Sequence, residues 1–241
     1  MHSNRLRAAP TLAVASLFCC LGIVAVPAQQ PDAASVIQKV DAAVKARVES
    51  IAGYTVTEHY AVYRNNDEVH PVAEMTVKTI YRQDSGKSYA ILSQSGSQIV
   101  RNMVLGSILD NEKHINLPGV REGAWIISAN YEMKLQPGGT QQLDGRNCYV
   151  LRLTPKIKAP YHVDGTLWVD ARDGSIVQLQ GMASKSASYL AGPTQMMRQY
   201  TNVSGFAEAT HARAVSNSFL FGKTVVTIDY RDYQIQLRPT Q

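Results

Sequence analysis

One apolar stripe is the most regular feature of the N-terminal part of the chain. In "PDAASVIQKVDAAVKARVESIAG" an apolar residue recurs at every fourth or third position: Val36, Val40, Val44, Val48 and Ile51. This spacing places the residues on one face of a helix. Asp32 stands where a side chain caps a helix, and Gly53 stands where a helix ends. The pattern therefore predicts an amphipathic helix that packs against an apolar surface.

Alternation of apolar and polar residues begins at Tyr54 and predicts strands with one buried face. Three such segments, "YTVTEHYAVY", "PVAEMTVKTIYR" and "SYAILSQ", are separated by the turn-forming sequences "RNNDE" and "QDSGK". The alternation resumes at "NYEMKLQ" and continues almost to the C-terminus. In the last segment it changes phase between Tyr230 and Tyr233, which predicts a β-bulge near Arg231.

Two apolar segments interrupt the strands. In "GSQIVRNMVLGSILDNEK" apolar residues recur at helical spacing, and the segment is too apolar for an exposed helix. In "GMASKSASYLAGPTQMM" small residues surround Tyr189 and Leu190, followed by the adjacent Met196 and Met197, a residue type that adapts to irregular apolar partners. Both segments are either plain cover for the core or movable lids over a cavity that strand side chains line.

These elements predict one α+β domain of about ten to eleven antiparallel strands, joined by short turns, with two helices. A sheet of this size twists and curls, and side chains, helices or a ligand must fill the inside of the curl. The predicted fold is a half-open antiparallel β-barrel with helices covering its concave face. The sequence shows no fixed-period repeat and no second domain boundary.

Residues 1–28 follow a different pattern. Arg5 and Arg7 precede the apolar run "TLAVASLFCCLGIVAV", and small residues lie at the end of the segment. This is the layout of a cleavable signal peptide, so we expect a mature domain of residues 29–241 that is exported to the periplasm. The alternative is an uncleaved membrane anchor, for which the run is short, because a span needs about 20 residues.

Charge and cysteine content narrow the function classes. The formal net charge is +5, and removing Arg5 and Arg7 leaves +3, which gives no electrostatic footprint for nucleic acid. Cleavage would leave Cys148 as the single cysteine, so the mature chain could form no internal disulfide. The place of Cys148 in the alternating run "NCYVLRL" favours a buried structural thiol over a nucleophile.

Three carboxylates lie close together in "VDGTLWVDARDGSIVQLQG": Asp164, Asp170 and Asp173. A calcium loop would need further oxygen ligands at alternating positions and a closing glutamate, which do not follow. Asp173 and Gly174 form instead a strong turn signal. The stretch therefore predicts a β-hairpin with exposed carboxylates at its tip and no metal site.

The histidines form no catalytic or metal-binding motif. Those of the mature chain are scattered singly: His59, His70, His114, His162 and His211. They lack the spacing of a zinc site, and the chain has neither a nucleophile elbow nor a phosphate-binding glycine loop. We expect a protein without enzymatic activity, cofactor or metal. A hydrolytic site assembled from distant residues around His59 or His211 is the alternative.

Two stretches resemble one known superfamily. "GTLWVDARDGSIVQLQG", preceded by "CYVLRLTPK", is similar to the Leu-Trp-Val-Asp strand, glycine turn and outgoing strand of the outer-membrane lipoprotein-sorting superfamily, which includes LolA-, RseB- and LppX/LprG-like proteins. The order of elements resembles that group as well. The resemblance implies a half-open barrel closed by helices that carries or senses acylated molecules. It assigns no functional residue to this chain, because the lid region departs from that of the LolA-type carrier.

Together these features lead to the hypothesis of a periplasmic, monomeric, non-enzymatic carrier. Its cargo would be the acyl chains of a lipoprotein or lipid, its partners would be inner- and outer-membrane envelope proteins, and it would bind no nucleic acid. The alternative is an RseB-like envelope-stress sensor or partner-binding module that uses exposed strand edges. The candidate residues are apolar side chains of the predicted lid and cavity wall: Tyr60, Met75, Val77, Val100, Met103, Val104, Ile108, Trp125 and Trp168.

Overall fold

The computed structural model describes residues 31–186, 192–218 and 222–239. The predicted signal peptide lies outside these residues, as do Tyr189 and Leu190 of the second predicted lid. Within the described ranges, no helix is both long and apolar enough to cross a lipid bilayer.

Helix α1 (Ala33–Ser50) forms where the apolar stripe predicts it. The Asp32 carboxylate accepts a hydrogen bond from the backbone N–H of Ser35 at 3.3 Å, which confirms the predicted cap. Val36 and Val40 are buried against the sheet. The stripe is therefore the face by which α1 packs.

The prediction that Gly53 ends this helix was wrong. The helix ends at Ser50, and the chain passes directly into strand β1 (Ile51–Arg64), which contains Gly53. A side chain at Gly53 would bring its Cβ within 2.6 Å of the Tyr81 carbonyl oxygen on the neighbouring strand. The glycine therefore permits a close approach of two strands rather than a helix end.

In the described part of the chain, eleven strands form one antiparallel sheet, in agreement with the predicted number. They are β1 (Ile51–Arg64), β2 (Ala73–Arg82), β3 (Gly86–Gly96), β4 (Tyr131–Leu135), β5 (Gln141–Leu143), β6 (Arg146–Pro155), β7 (Val163–Asp170), β8 (Ile176–Ala183), β9 (Thr194–Val203), β10 (Phe206–Ser218) and β11 (Gly222–Leu237). Their order is β3-β2-β1-β11-β10-β9-β8-β7-β6-β4, and β5 pairs with β6. Among the described residues no strand lies beyond β3 or β4, so the sheet stays open. The predicted half-open antiparallel barrel is thus confirmed.

The predicted bulge in β11 is also confirmed. The pairing of β11 with β1 shifts register between Thr55 and Thr57, and Asp232 opposite them adopts a φ of 57°. In a regular strand Tyr230 and Tyr233 would face opposite sides of the sheet. Because of the bulge, both pack against the same buried cluster at the start of β1.

The C-terminal end of the second predicted lid, the segment "GMASKSASYLAGPTQMM", belongs to a strand. Met196 and Met197 lie in β9, where they pair with Gly181 and Gln180 of β8. For these two methionines the lid prediction was wrong, because the pairing fixes their backbone in the sheet.

A second helical segment follows β3, as the spacing predicts. It consists of α2 (Gln98–Val100), a π-helical turn (Arg101–Gly106) and α3 (Ser107–Ile115), and it is called the central helix below. The sequence pattern did not predict the π turn. A short 3-10 helix (Arg121–Ala124) comes next.

The two long helical segments cover different halves of one face of the sheet, called the inner face. The α1 cluster joins α1 to β4, β6, β7 and β8, and includes Val40, Leu151 and Leu167. The central-helix cluster joins the central helix to β1, β2, β10 and β11, and includes Tyr60 and Val77. The opposite face, called the outer face, carries the alternate side chains of the strands.

Candidate functional site

Most of the predicted site residues come together where the central helix packs on the sheet. Six belong to the central-helix cluster: Tyr60, Met75, Val77, Val100, Val104 and Ile108. The first four are buried, and the last two are half-buried. Strands β1 and β2 supply a wall and the central helix supplies the cover. The predicted lid and the predicted wall are therefore in contact with each other.

The other three predicted residues lie elsewhere. Met103 is on the central helix but is 49% exposed. Trp125 follows the 3-10 helix and is half-buried. Trp168 lies on the outer face, where its indole N–H donates a hydrogen bond to Gln141 Oε1 at 3.2 Å. Trp168 is thus separated by the sheet from the other candidates.

Two residues outside the predicted set are the most deeply buried of the central helix. Leu105 is 0% and Leu109 is 3% exposed, and both belong to the central-helix cluster. The hydrogen bonds of a π turn span five residues, so Leu105 follows Val100 on the same face at a spacing of five. The helical spacing of Leu105, Ile108 and Leu109 could have indicated them, whereas the five-residue step from Val100 to Leu105 could not be predicted.

A small cavity lies beside the N-terminal half of the central helix. It measures about 10 Å³, roughly the volume that admits one water molecule. The lining residues are Arg64, Ile99, Val100, Met103, Val104 and Thr224. An acyl chain could enter only if the helix moved away from the strands.

Charged side chains are half-buried on the inner face. Glu112 of α3 accepts a hydrogen bond from Lys87 Nζ of β3 at 2.8 Å, and its other oxygen lies 3.7 Å from Arg198 Nη2 of β9. Arg198 pairs in the sheet with Ala212 on one side and Leu179 on the other, one residue from each apolar cluster. Lys87, Glu112 and Arg198, called the ion cluster below, therefore extend to the boundary between the two apolar clusters.

The ion cluster stabilises the charged forms of its members. Burial alone would raise the pKa of Glu112, but Lys87 and Arg198 together lower it to about 2. Burial alone would lower the pKa of Lys87, but the Glu112 carboxylate holds this pKa well above its usual value. Glu112 is therefore ionised at neutral pH and ties α3 to strands β3 and β9.

A second buried ion pair ties α1 to the sheet. Arg47 donates two hydrogen bonds of 2.8 Å to the carboxylate of Glu208 on β10, whose side chain is 3% exposed. Burial opposes the charge of Arg47, but the Glu208 carboxylate raises the pKa of this guanidinium above its ordinary value. Arg47 thus holds α1 in place and does not contact the central helix through this pair.

The hairpin between β7 and β8 forms as predicted, with Gly174 at a φ of +75°. The prediction that Asp170 is exposed was wrong, because this residue is 2% exposed and accepts hydrogen bonds from the backbone N–H and the guanidinium of Arg172. The tip also packs on α1, since a side chain at Gly174 would collide with Lys39. Among the described residues no group of three or more metal-binding side chains is found.

His59 lies between a hydroxyl and a carboxylate on the outer face of β1 and β2. Its Nδ1 lies 3.1 Å from the Thr76 hydroxyl and its Nε2 lies 3.4 Å from the Glu74 carboxylate. This order is that of a nucleophile, a base and an acid. Thr76, however, lies mid-strand and pairs with His59 on one side and Ser93 on the other, so its backbone N–H serves the sheet rather than an oxyanion.

Two further histidines, His162 and His211, are buried or half-buried and have structural contacts. His162 is buried, and its ring nitrogens lie 2.7 Å and 2.6 Å from the carbonyl oxygens of Ile157 and Gly123. His211 Nδ1 lies 2.8 Å from Asp229 Oδ1 on the next strand. His162 therefore links the 3-10 helix to the loop before β7, and His211 links β10 to β11.

Comparison with known proteins finds similarity only in three dimensions. The sequence matches no protein-family model and no curated protein. A LolA superfamily protein from Nitrosomonas europaea is 14% identical, with 87% of this chain and 96% of that chain covered and a TM-score of 0.46. A domain from Vibrio parahaemolyticus named as an outer membrane lipoprotein-sorting protein is 13% identical, with 84% and 91% covered and a TM-score of 0.46.

A DUF1329 family protein from Desulfovibrio piger is similar to the same degree, with 14% identity, 83% and 93% coverage and a TM-score of 0.46. The likeness to these structures is one of layout, and two of them bear the name of the superfamily that the sequence resembles. At these identities and TM-scores it says nothing about function, which has to be inferred from the chain's own side chains.

Proposed function

We propose that the protein is a non-enzymatic binding protein of the periplasm that holds an acyl chain of a lipid or lipoprotein beneath the central helix. The observation that supports this proposal is the apolar contact between cover and wall: Val100, Leu105 and Leu109 of the helix belong to one cluster with Tyr60 and Val77 of the strands. A helix that lies on an apolar floor provides two surfaces between which an acyl chain can bind. The signal-peptide pattern of residues 1–28 supports the compartment.

The two halves of the central helix are held differently. α3 is tied to the strands by Glu112, and Lys113 Nζ lies 4.3 Å from the centroid of the Tyr89 ring. The N-terminal half packs on the strands through Val100 and Val104. The N-terminal half consists of α2 and the π turn, and such turns are frequent at functional sites in helices. We infer that residues 98–106 move away from the strands while α3 stays in place.

The energy of cargo binding is sufficient for this movement. Opening exposes apolar side chains such as Val100 and Leu105, at a cost of about 1.5–3 kcal/mol each. An acyl chain gains about 0.8 kcal/mol per buried CH₂, so about a dozen methylene groups contribute on the order of 10 kcal/mol. Binding can therefore offset opening, whereas the empty protein stays closed.

The test is native mass spectrometry of the mature protein, purified from the periplasm without detergent, followed by solvent extraction. Release of an acylated species supports the proposal. Met103→Asp places a charge at the edge of the lid and should reduce lipid affinity about tenfold, which corresponds to about 1.4 kcal/mol. The matched control is Asn102→Asp, which places the same charge at the adjacent, exposed position. Equal affinity in both variants, or a bare wild-type protein that takes up no fluorescent fatty acid, would contradict the proposal.

The sheet edge at β3 favours a second candidate function, the binding of an extended segment of a partner protein. Residues 88–100 contain neither charge nor proline, and Ile91 and Leu92 are 51% and 59% exposed. Edge strands are usually protected by charge, proline or shortness. The other edge, β4, has such protection, since its five residues include Glu132 and Lys134. A β-bulge at Leu92 interrupts the pairing of β3 with β2. Because residues 88–100 carry neither charge nor proline, a partner strand could still pair along this edge.

This second candidate is tested by a pull-down from an envelope extract. Leu92→Lys should remove one specific partner, because a charge on the edge disfavours strand addition. Ile80→Lys is the control, since Ile80 is 40% exposed on the adjacent strand β2 and does not lie at the edge. The same set of captured proteins with wild type and with both variants would rule this candidate out.

A further inference from the structure

The outer face carries a depression that the proposed acyl site does not use. It has a volume of about 370 Å³ and lies over strands β6 to β9. The side chains around it include Arg152, Thr166, Trp168, Gln180, Met182 and Gln195. The sheet separates this depression from α1 and the central helix, so it is a site of its own.

Trp168 provides the aromatic part of the depression. It is half-buried, and its hydrogen bond to Gln141 holds the indole ring against the sheet. Gln178 pairs with Trp168 on one side and with Gln199 on the other, and Gln199 Nε2 donates a hydrogen bond to Gln178 Oε1 at 3.3 Å. Amide side chains therefore continue the polar row from the indole across β8 and β9.

The charge of the depression is compensated. Arg152 donates hydrogen bonds to the carboxylate of Asp164 and, at 2.7 Å each, to the carbonyl oxygens of Leu153 and Gly165. Of the other residues that line the depression none is charged. A phosphate or another anion would therefore meet no net positive charge here.

Two paired glycines contribute backbone to the lining of the depression. Gly165 of β7 and Gly181 of β8 face each other in the sheet and both line the depression. A Cβ at Gly181 would lie 2.6 Å from the Cα of Gly165, closer than real Cβ contacts come. The paired glycines allow the two strands to approach closely beneath the depression.

We propose that this depression, called the amide–indole patch below, binds a neutral oligosaccharide. A pyranose ring has an apolar C–H face that stacks on an indole, and hydroxyl groups that both donate and accept hydrogen bonds. Trp168 offers the flat apolar surface, and the exposed amides of Gln180 and Gln195 each offer donors and an acceptor. Uncharged hydroxyls suit a surface whose one cation is already paired with Asp164.

The experiment is calorimetric titration of the mature protein with two neutral probes, a trisaccharide of N-acetylglucosamine and maltotriose, and one anionic probe, a trisaccharide of hexuronic acid. Saturable binding of at least one neutral probe is expected, and Trp168→Ala should weaken it at least tenfold. The chain has two tryptophans, so in a Trp125→Phe background a change of fluorescence on titration reports on Trp168 alone.

Further variants separate lost binding from lost folding. Gln195→Ala, at an exposed position, should weaken binding about threefold, whereas His211→Ala on the same face over β10 should leave it unchanged. No saturable binding of either neutral probe, stronger binding of the anionic probe, or unchanged affinity in Trp168→Ala would overturn the proposal. Met103→Asp should not change sugar affinity, so this result is independent of the acyl-chain experiment.

Discussion

In a Glu112→Gln variant, Lys87 and Arg198 would keep their charges but lose the carboxylate that lies 2.8 Å from one and 3.7 Å from the other. The glutamine amide has nearly the same shape, so the apolar contacts of α3 stay in place. What changes is the charge balance of the ion cluster. We therefore expect a loss of stability without a change of fold.

The magnitude follows from the pKa of Glu112. It is about 2 in the folded protein, against an ordinary value of 4.5. Each pKa unit corresponds to about 1.4 kcal/mol, so roughly 3 kcal/mol of the free energy of unfolding depends on this charge. Breaking a buried ion pair generally costs about 3–5 kcal/mol. Because the Arg198 side chain is 34% exposed, water screens part of its share, and we expect the lower end of that range.

The assay is urea unfolding of both proteins at several pH values. The folded pKa of Glu112 is depressed, so its contribution is fully present above the unfolded pKa of about 4.5 and is lost as the pH falls towards the folded pKa of about 2. The difference between wild type and Glu112→Gln should therefore be largest at neutral pH and shrink between these two values.

The matched control is Glu49→Gln, which removes a carboxylate 3.8 Å from Lys45 in a pair whose side chains are 62% and 71% exposed. This change should alter the free energy of unfolding by less than about 0.5 kcal/mol. A loss below about 1 kcal/mol in Glu112→Gln, or a difference that stays constant as the pH falls, would refute the reasoning about the ion cluster.

Three further predictions concern the anchoring and packing of the elements. Arg47→Leu leaves the buried carboxylate of Glu208 unpaired and should cost about 3–5 kcal/mol in urea unfolding, with a smaller loss in Arg47→Lys. Asp32→Ala removes the cap of α1 and should cost about 1 kcal/mol in the same assay; no change would mean that the cap contributes nothing. Cys148 is 0% exposed and burial raises the pKa of its thiol, so a thiol reagent should react slowly with the folded mature protein and rapidly in urea; rapid reaction of both would contradict its burial.

Features that depend on local pattern could be predicted from the sequence. The four-residue spacing from Val36 onward predicts α1, because the same period defines the face that packs. The phase change between Tyr230 and Tyr233 predicts the β11 bulge, because each strand residue faces away from its neighbour. The same alternation in "GTLWVD" places Trp168 and Leu167 on opposite faces of the sheet. In the structure Leu167 lies on the inner face and Trp168 on the outer face.

Features that depend on partners far apart in the chain could not be predicted from the sequence. Arg47 and Glu208 are separated by 161 positions, and no local pattern links them. Asp170, which is buried, pairs in the sheet with Cys148 of β6, a neighbour that the local hairpin pattern does not show. The π turn moves Leu105 to the buried face, whereas a regular helical period selects Met103 and Val104 as readily.

The positions of the two ion pairs distinguish two ways in which the central helix could open. Glu112 lies in α3, so a lid that moves as one rigid helix must break its contacts with Lys87 and Arg198, whereas a lid that moves only at residues 98–106 keeps them. In the first case Glu112→Gln would raise lipid affinity, because opening becomes easier as stability falls. In the second case the variant loses stability while its lipid affinity stays within about twofold of wild type. We expect the second result, since the π turn ends at Gly106, where the apolar half of the helix meets the half that the ions hold.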